Sequence, residues 1–277
     1  MLSWNRISFA SILFVGAVLV VPLQAQNSEQ LQVGPPPLHR AEPPAPGATA
    51  EELESQGDLL RTDKNYLDAV DYYQAALIKG PATSNLLNKI GICQMMLQRL
   101  KESKKSLERA ISADRNHSDA YNNLGVIYYQ LGVFHRENGN FKKAIKMYDK
   151  AIALSSDSAS YYNNRGAAYF ARRQFEAATT DYATAMKLDP EIFERTSRAG
   201  VQAMLPSPED RARYDYVLAK LYARSGIVDR SLHYLKKAME DGYKEIANVY
   251  KDNEFAELRK DPRFTELMTA KTVSLPE

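Results

Sequence analysis

Glycine recurs at a stride of 34 residues in this chain of 277 residues, and this spacing constrains the fold more than any other feature. Gly57, Gly91 and Gly125 form one series, and Gly132 and Gly166 form a second with the same spacing. A fixed period of this length is typical of solenoids, in which each repeat is one small helical or strand unit. The triplet Leu-Gly-Val surrounds both Gly125 and Gly132, so the second series is displaced by seven residues. Because seven residues make almost two helical turns, we predict an insertion of that length within one helix.

Large and small residues follow these glycines in a fixed order. Counted from Gly57, Gly91, Gly132 and Gly166, a large residue stands nine positions on, at Tyr66, Leu100, Phe141 and Phe175. Nineteen positions on, the residue is always alanine, at Ala76, Ala110, Ala151 and Ala185. Small residues let two helices approach closely, and large ones fill the space between neighbouring pairs. Such a helix pair cannot bury its apolar face alone, so the pattern predicts stacked pairs.

The glycine, alanine and aromatic pattern resembles the tetratricopeptide repeat, a helix-turn-helix unit of 34 residues. The resemblance implies an all-α fold: a right-handed α-solenoid of stacked helix-turn-helix repeats with C-terminal capping helices. We expect an array over residues 50–245 with about five repeats, in which Ala219 replaces the glycine of the last. The expected repeats are 50–83, 84–117, 118–158 with the insertion, 159–192 and 212–245. An extra helix is expected over 193–211, and capping helices with a tail over 246–277.

The N-terminal segment has the pattern of a secretory signal. Arg6 precedes an apolar run over residues 7–21, and Leu23-Gln24-Ala25 offers a cleavage site. We therefore predict a signal peptide over residues 1–25 and a secreted or periplasmic protein. An uncleaved anchor stays open as the alternative, and it would make the protein membrane-anchored and extracytoplasmic. Residues 26–49 are rich in proline, which predicts a linker.

Composition and motifs argue against catalysis, metal binding and nucleic-acid binding. The formal net charge is only +2, so we expect no binding to nucleic acid. The single cysteine, Cys93, cannot form an internal disulfide, and the four histidines lack the spacing of a helical metal site. No nucleotide-binding or hydrolase motif is present. The prediction is a protein that is not an enzyme and that uses no metal and no cofactor.

Asparagine recurs where the resemblance places the concave groove. In such arrays the first helix of each pair lines the groove, and this implies that five asparagines and one lysine lie in or near it. They are Asn88, Lys89, Asn122, Asn123, Asn163 and Asn164. Asparagine is a poor helix former, but its amide offers a donor and an acceptor to the backbone of an extended peptide. The alternative is that these amides satisfy helix ends or face water.

Four apolar residues follow further along the same helices, namely Met95, Met96, Tyr129 and Phe170. If exposed, they form an apolar floor for a partner, whereas packing between repeats makes them core. A clamp for a C-terminal carboxylate is disfavoured, because Glu54 and Asp58 accompany Lys89. We predict a non-catalytic protein–protein interaction module that binds a peptide segment of a partner in its groove. The alternative is an envelope scaffold that docks by its convex face or its ends, with membrane contact only through an uncleaved N-terminal segment.

Overall fold

The computed structural model of the protein describes residues 41–194 and 208–270. This part of the chain holds eleven α-helices and three short 3-10 helices, and no strand. The first eight α-helices are α1 Ala50–Thr62, α2 Tyr66–Lys79, α3 Ser84–Met96, α4 Leu100–Ala113, α5 Ser118–His135, α6 Asn138–Leu154, α7 Ala159–Ala171 and α8 Phe175–Leu188. The remaining ones are α9 Pro208–Arg224, α10 Val228–Glu240 and α11 Pro262–Thr269, with 3-10 helices at Ile246–Tyr250, Asn253–Phe255 and Leu258–Lys260. The predicted all-α class is confirmed.

The helices form five antiparallel hairpins, α1–α2 to α9–α10, and the first four stack in chain order. The first helices of successive hairpins approach closely, α3 with α5 and α5 with α7. The second helices α4, α6 and α8 lie further from one another. A stack whose first helices are closer together than its second helices curves toward the first helices, which therefore form the inner face.

Each glycine of the repeat gives room to one side chain of the second helix. A Cβ atom on Gly57 would lie 2.6 Å from the ring of Tyr73, and one on Gly166 would lie 2.7 Å from the ring of Tyr182. Both rings are fully buried, so the glycines set how closely the two helices of a hairpin can pack.

The seven-residue insertion lies in both helices of the third hairpin, and the prediction that it lies within one helix is wrong. Helices α5 and α6 have 18 and 17 residues, against 13 and 14 in the hairpins on either side. Growth on both sides of the turn keeps the helices paired, with Tyr148 opposite Gly125 and Phe141 opposite Gly132. The ring of Phe141 meets that of Tyr129 edge-on at 5.4 Å. The insertion therefore adds one packed layer and lengthens the hairpin by roughly 5–7 Å.

The end of the proline-rich segment is part of the folded array. Residues 41–48, the N-terminal strap, lie along α2: Tyr72 donates a hydrogen bond to the carbonyl of Glu42 at 3.0 Å, and Lys79 donates to the carbonyls of Pro46 and Ala48. On the opposite side of α2, Leu77 packs against Leu87 of α3. The strap thus covers part of the side of α2 that faces away from the second hairpin. The rest of the predicted linker and the predicted signal peptide lie outside the described residues.

The fourth and fifth hairpins are joined by a segment that crosses their boundary. Residues 189–194, the junction segment, place Phe193 among Tyr182, Tyr214 and Tyr222, with ring centroids 5.9, 6.5 and 6.4 Å away. Its Glu194 carboxylate accepts hydrogen bonds from Tyr222 at 3.3 Å and Tyr234 at 3.1 Å.

The predicted extra helix falls largely on residues 195–207, outside the described part of the chain. Helix α9 begins at Pro208, so residues 208–211 belong to the fifth hairpin rather than to a separate helix. At the far end, Phe255, Leu258 and Phe264 are buried against this hairpin, as expected of C-terminal capping helices.

Candidate peptide-binding face

Five asparagines lie on the first helices of the second, third and fourth hairpins, two or three positions before the glycine. Asn88, Asn122, Asn123, Asn163 and Asn164 are only 3–8% exposed. A buried amide is costly unless its donors and acceptors are satisfied, so the partners of these side chains decide what the face can do.

Four of the amides form one hydrogen-bonded row across three helices. Asn164 donates to Asn122 at 2.9 Å, Asn122 donates to Asn123 at 3.3 Å, and Asn123 donates to Asn88 at 3.0 Å. The row, which we call the amide ladder, connects α7, α5 and α3. Asn163 lies buried beside it on α7. The four ladder amides therefore do not satisfy helix ends, the role that was open as an alternative.

Lys89 stands beside the ladder but its charge is balanced. Its ammonium group bonds to Glu54 at 2.8 Å and to Asp58 at 2.6 Å, and Asp58 also accepts a hydrogen bond from Tyr73 at 2.8 Å. Burial acts to raise the pKa of Asp58, but the hydrogen bonds from Lys89 and Tyr73 outweigh it and hold this pKa below its ordinary value. Burial acts to lower the pKa of Lys89, and its two carboxylate partners raise it instead. A lysine held by two carboxylates is a poor receptor for a third.

Three of the four predicted floor residues lie in the core. Met95, Tyr129 and Phe170 are at most 1% exposed. They lie on the sides of their helices that face the neighbouring hairpins, so Phe170, for example, meets Tyr214 of the fifth hairpin at 6.0 Å. These three residues therefore belong to the core, which was the alternative open in the sequence. The prediction that they form an apolar floor of the groove is wrong. Met96, at 41%, is exposed.

No group of three or more His, Cys, Asp or Glu side chains within residues 41–194 and 208–270 is placed to hold a metal ion. The thiol of Cys93 is buried, and burial raises its pKa to about 12, which keeps it protonated. The polar groups of this face thus include the neutral amides of the ladder and the paired charges of Lys89, Glu54 and Asp58.

Comparison with known proteins identifies the repeat. Sequence models of the tetratricopeptide repeat match residues 84–117, 106–146 and 159–192, and a further model of this repeat matches 135–172. Two of these matches have the bounds of the second and fourth repeats expected from the sequence. Residues 84–192 are therefore tetratricopeptide repeats. Stacked repeats of this kind create the extended concave surfaces through which such proteins bind partners.

Solved structures of other proteins resemble this chain at low sequence identity. TTC0263, a thermophilic tetratricopeptide-repeat protein of Thermus thermophilus, superposes with a TM-score of 0.51 at 19% identity, covering 79% of this chain and 99% of that chain. MamA of Desulfovibrio magneticus RS-1 has a TM-score of 0.49 at 16% identity, covering 75% of this chain and 100% of that chain. The heat shock protein STI1 of Saccharomyces cerevisiae is 24% identical over 99 residues, which are 35% of this chain and 17% of that protein. The match thus spans about a sixth of the yeast protein.

Proposed function

We propose that this protein binds an extended segment of a partner protein along the inner face of α3, α5 and α7, without a catalytic step of its own. The amide ladder is the observation that carries the proposal. It connects the three helices across their axes, which is the direction in which an extended chain would lie in the groove.

The chemistry of the ladder suits a peptide backbone. An asparagine amide has two N–H donors and an oxygen with two lone pairs, so one ladder bond on each side leaves capacity for another partner. An exposure of 3–8% confines that capacity to the edge of each amide. Neighbouring helices lie about 10 Å apart and an extended chain rises about 3.3 Å per residue, so the span from α3 to α7 corresponds to roughly six residues.

The test compares two amides of the ladder with one amide of similar burial outside it. Peptides would first be selected from a random display library on the full chain and their affinities measured by calorimetry. Asn123→Ala combined with Asn164→Ala is expected to weaken the selected peptides at least about tenfold, because each lost hydrogen bond between neutral groups is worth about 1 kcal/mol. Asn140→Ala is the control, since Asn140 is 8% exposed but bonds to Glu137 in the turn of the third hairpin.

Unchanged affinity in a folded double variant would contradict the groove proposal. Equal weakening by Asn140→Ala would contradict it too, because that amide lies outside the ladder.

We further propose that the protein acts outside the cytoplasm. The apolar run over residues 7–21, after Arg6 and before Leu23-Gln24-Ala25, supports an export signal. In the described part of the chain, no helix has both the length and the apolar character needed to cross a bilayer. N-terminal sequencing of the protein recovered from cells should begin at or near Gln26, and an intact Met1 in the membrane fraction would indicate the anchored form instead.

A further inference from the structure

Basic residues are concentrated on two neighbouring second helices. Helices α4 and α6 together carry eight basic and three acidic side chains, whereas α2 and α8 each carry one basic and two acidic side chains. The whole chain has a formal charge of only +2, so this excess is local. Because α4 and α6 are second helices, the excess lies on the side of the array opposite the amide ladder.

Six lysines form the centre of this region, which we call the outer lysine patch. Its members are Lys104, Lys105, Lys142, Lys143, Lys146 and Lys150. All are exposed except Lys104, which is intermediate. Lys142, Lys146 and Lys150 are four residues apart along α6 and so form a row about 12 Å long on one face.

One lysine of α4 and one of α6 lie close to the same tyrosine ring. The ammonium groups of Lys104 and Lys143 lie 5.4 and 5.7 Å from the centre of the same ring, that of Tyr128. The lysines of α4 and α6 therefore form one continuous surface rather than two separate rows.

The carboxylates of α4 and α6 leave most of the patch unneutralised. Asp149, the one acid of α6, bonds to Arg165 at 2.8 Å, and Glu108 of α4 pairs with Lys104 at 3.7 Å. Among the described residues, Lys105, Lys142, Lys146 and Lys150 make no ion pair. These charges are free to attract an anionic surface.

We propose that the outer lysine patch docks the protein on an anionic lipid surface. Seven of the eight basic residues of α4 and α6 are lysines. Arginine is the usual residue for bidentate recognition of one carboxylate or phosphate, whereas clusters of hydrated lysine charges suit diffuse attraction to many headgroups. This composition favours a membrane surface over an acidic protein segment. The groove would face away from the bilayer and stay open to a partner.

The test uses the full chain and sedimentation with two kinds of vesicle, one of phosphatidylcholine alone and one of equal parts phosphatidylcholine and phosphatidylglycerol. Each lysine near an anionic surface changes partitioning about fivefold. Lys142→Gln, Lys143→Gln, Lys146→Gln and Lys150→Gln together should lower binding to the anionic vesicles at least about thirtyfold, toward the level seen with phosphatidylcholine alone. Binding of the unaltered chain should fall steeply with added salt.

A matched variant removes the same charge elsewhere, through Lys187→Gln, Lys236→Gln, Lys244→Gln and Lys251→Gln, all at exposed positions. It should keep most of the binding, and so should Asn123→Ala combined with Asn164→Ala, which separates this proposal from the groove proposal. Circular dichroism should show both lysine variants folded, since they alter only exposed side chains.

Equal losses in the two lysine variants would overturn the proposal, because net charge would then suffice. Binding to anionic vesicles that is unchanged by the four substitutions in the patch would overturn the proposal as well. If the chain bound polyglutamate through the patch but did not bind anionic vesicles, the proposal would be wrong. The partner of the patch would then be an acidic protein segment and not a lipid surface.

Discussion

The array connects its hairpins in two different ways. The connections from the second to the third hairpin and from the third to the fourth are each four residues long, 114–117 and 155–158. The connection from α8 to α9 spans residues 189–207, and no helix of the fourth hairpin comes as close to α9 as α6 comes to α7. The rings of Phe193 and its tyrosine neighbours fill that boundary. The regular hairpins are thus held by backbone proximity, and the fifth is held by side chains.

The two kinds of boundary should respond differently to substitution. A contact formed by close helices, within a hairpin or between two hairpins, tolerates no added atoms, because there is no space for them. A boundary filled by aromatic side chains depends on each ring that fills it. Four pairs of substitutions probe this contrast.

The largest effect is expected for Gly125→Ala in the regular part. Its Cβ would lie 2.5 Å from the ring of Tyr148, which is fully buried and has no room to move. We expect a loss of about 3 kcal/mol in the free energy of unfolding, measured by urea denaturation. In the fifth hairpin, where Ala219 already occupies the equivalent position, Ala219→Gly should cost only about 1 kcal/mol through helix propensity. Equal losses at the two sites would show that the helices of a regular hairpin pack no more closely than those of the fifth.

Phe193→Ala should destabilise the fifth hairpin by about 2 kcal/mol, less than a fully buried phenylalanine would because this ring is only partly buried. Hydrogen exchange should accelerate in α9 and α10 and stay unchanged in α3 and α5. Phe134→Ala is the control, since Phe134 is 50% exposed and its loss should change little. Acceleration spread evenly over all hairpins would show that the boundary is no weaker than the others.

Asp215→Asn should make the fifth hairpin less sensitive to pH. Burial raises the pKa of Asp215 from 3.8 to about 6, and Lys237, 3.6 Å away, only partly offsets this. Its Oδ2 atom has no hydrogen-bond partner in the described part of the chain. Because the folded pKa is the higher one, the wild type loses stability as pH rises from about 4 through about 6. The variant should therefore gain about 2 kcal/mol over the wild type at about pH 8 and almost nothing at about pH 3.5.

The matched residue in the regular part is Asp181, which is as deeply buried but bonds to Arg165 at 2.8 and 2.7 Å. Asp181→Asn should destabilise the protein at about pH 8, since it weakens this pair. If both variants were more stable than the wild type at about pH 8, Arg165 would not have the stabilising role assigned to it.

The smallest effect concerns tyrosine hydroxyls. Those of Tyr148 and Tyr182 are buried without a hydrogen-bond partner among the described residues, whereas that of Tyr222 donates to Glu194. Tyr182→Phe should therefore stabilise the protein by up to about 1 kcal/mol, and Tyr222→Phe should cost about 1 kcal/mol. Thermal denaturation would resolve the opposite signs, and a loss at Tyr182 would indicate a bound water on its hydroxyl.

Much of the fold follows from the sequence because the repeat imposes it locally. The stride of the glycines predicted the stacked hairpins and the lengthened third one. The distribution of the insertion over α5 and α6 could not be predicted, since the sequence does not mark where a turn must fall when both helices can grow.

The candidate site was less accessible from the sequence. The periodic asparagines were recognised, but their partners lie 35 and 42 residues away along the chain, as for Asn123 with Asn88 and Asn164 with Asn122. Likewise, spacing alone placed Met95, Tyr129 and Phe170 on the right helices without showing which side faced a neighbouring hairpin. The lysines of α4 and α6 converge only because the hairpins stack, so the outer lysine patch is a product of the fold.

The N-terminal strap has a consequence for assembly. Units that stack on themselves by one repeated contact can add copies head to tail without limit and grow into filaments. Residues 41–48 occupy the open side of α2, and the capping helices occupy the other terminus. A second copy would therefore have to displace the strap or the capping helices before it could stack on the described array at either of these places.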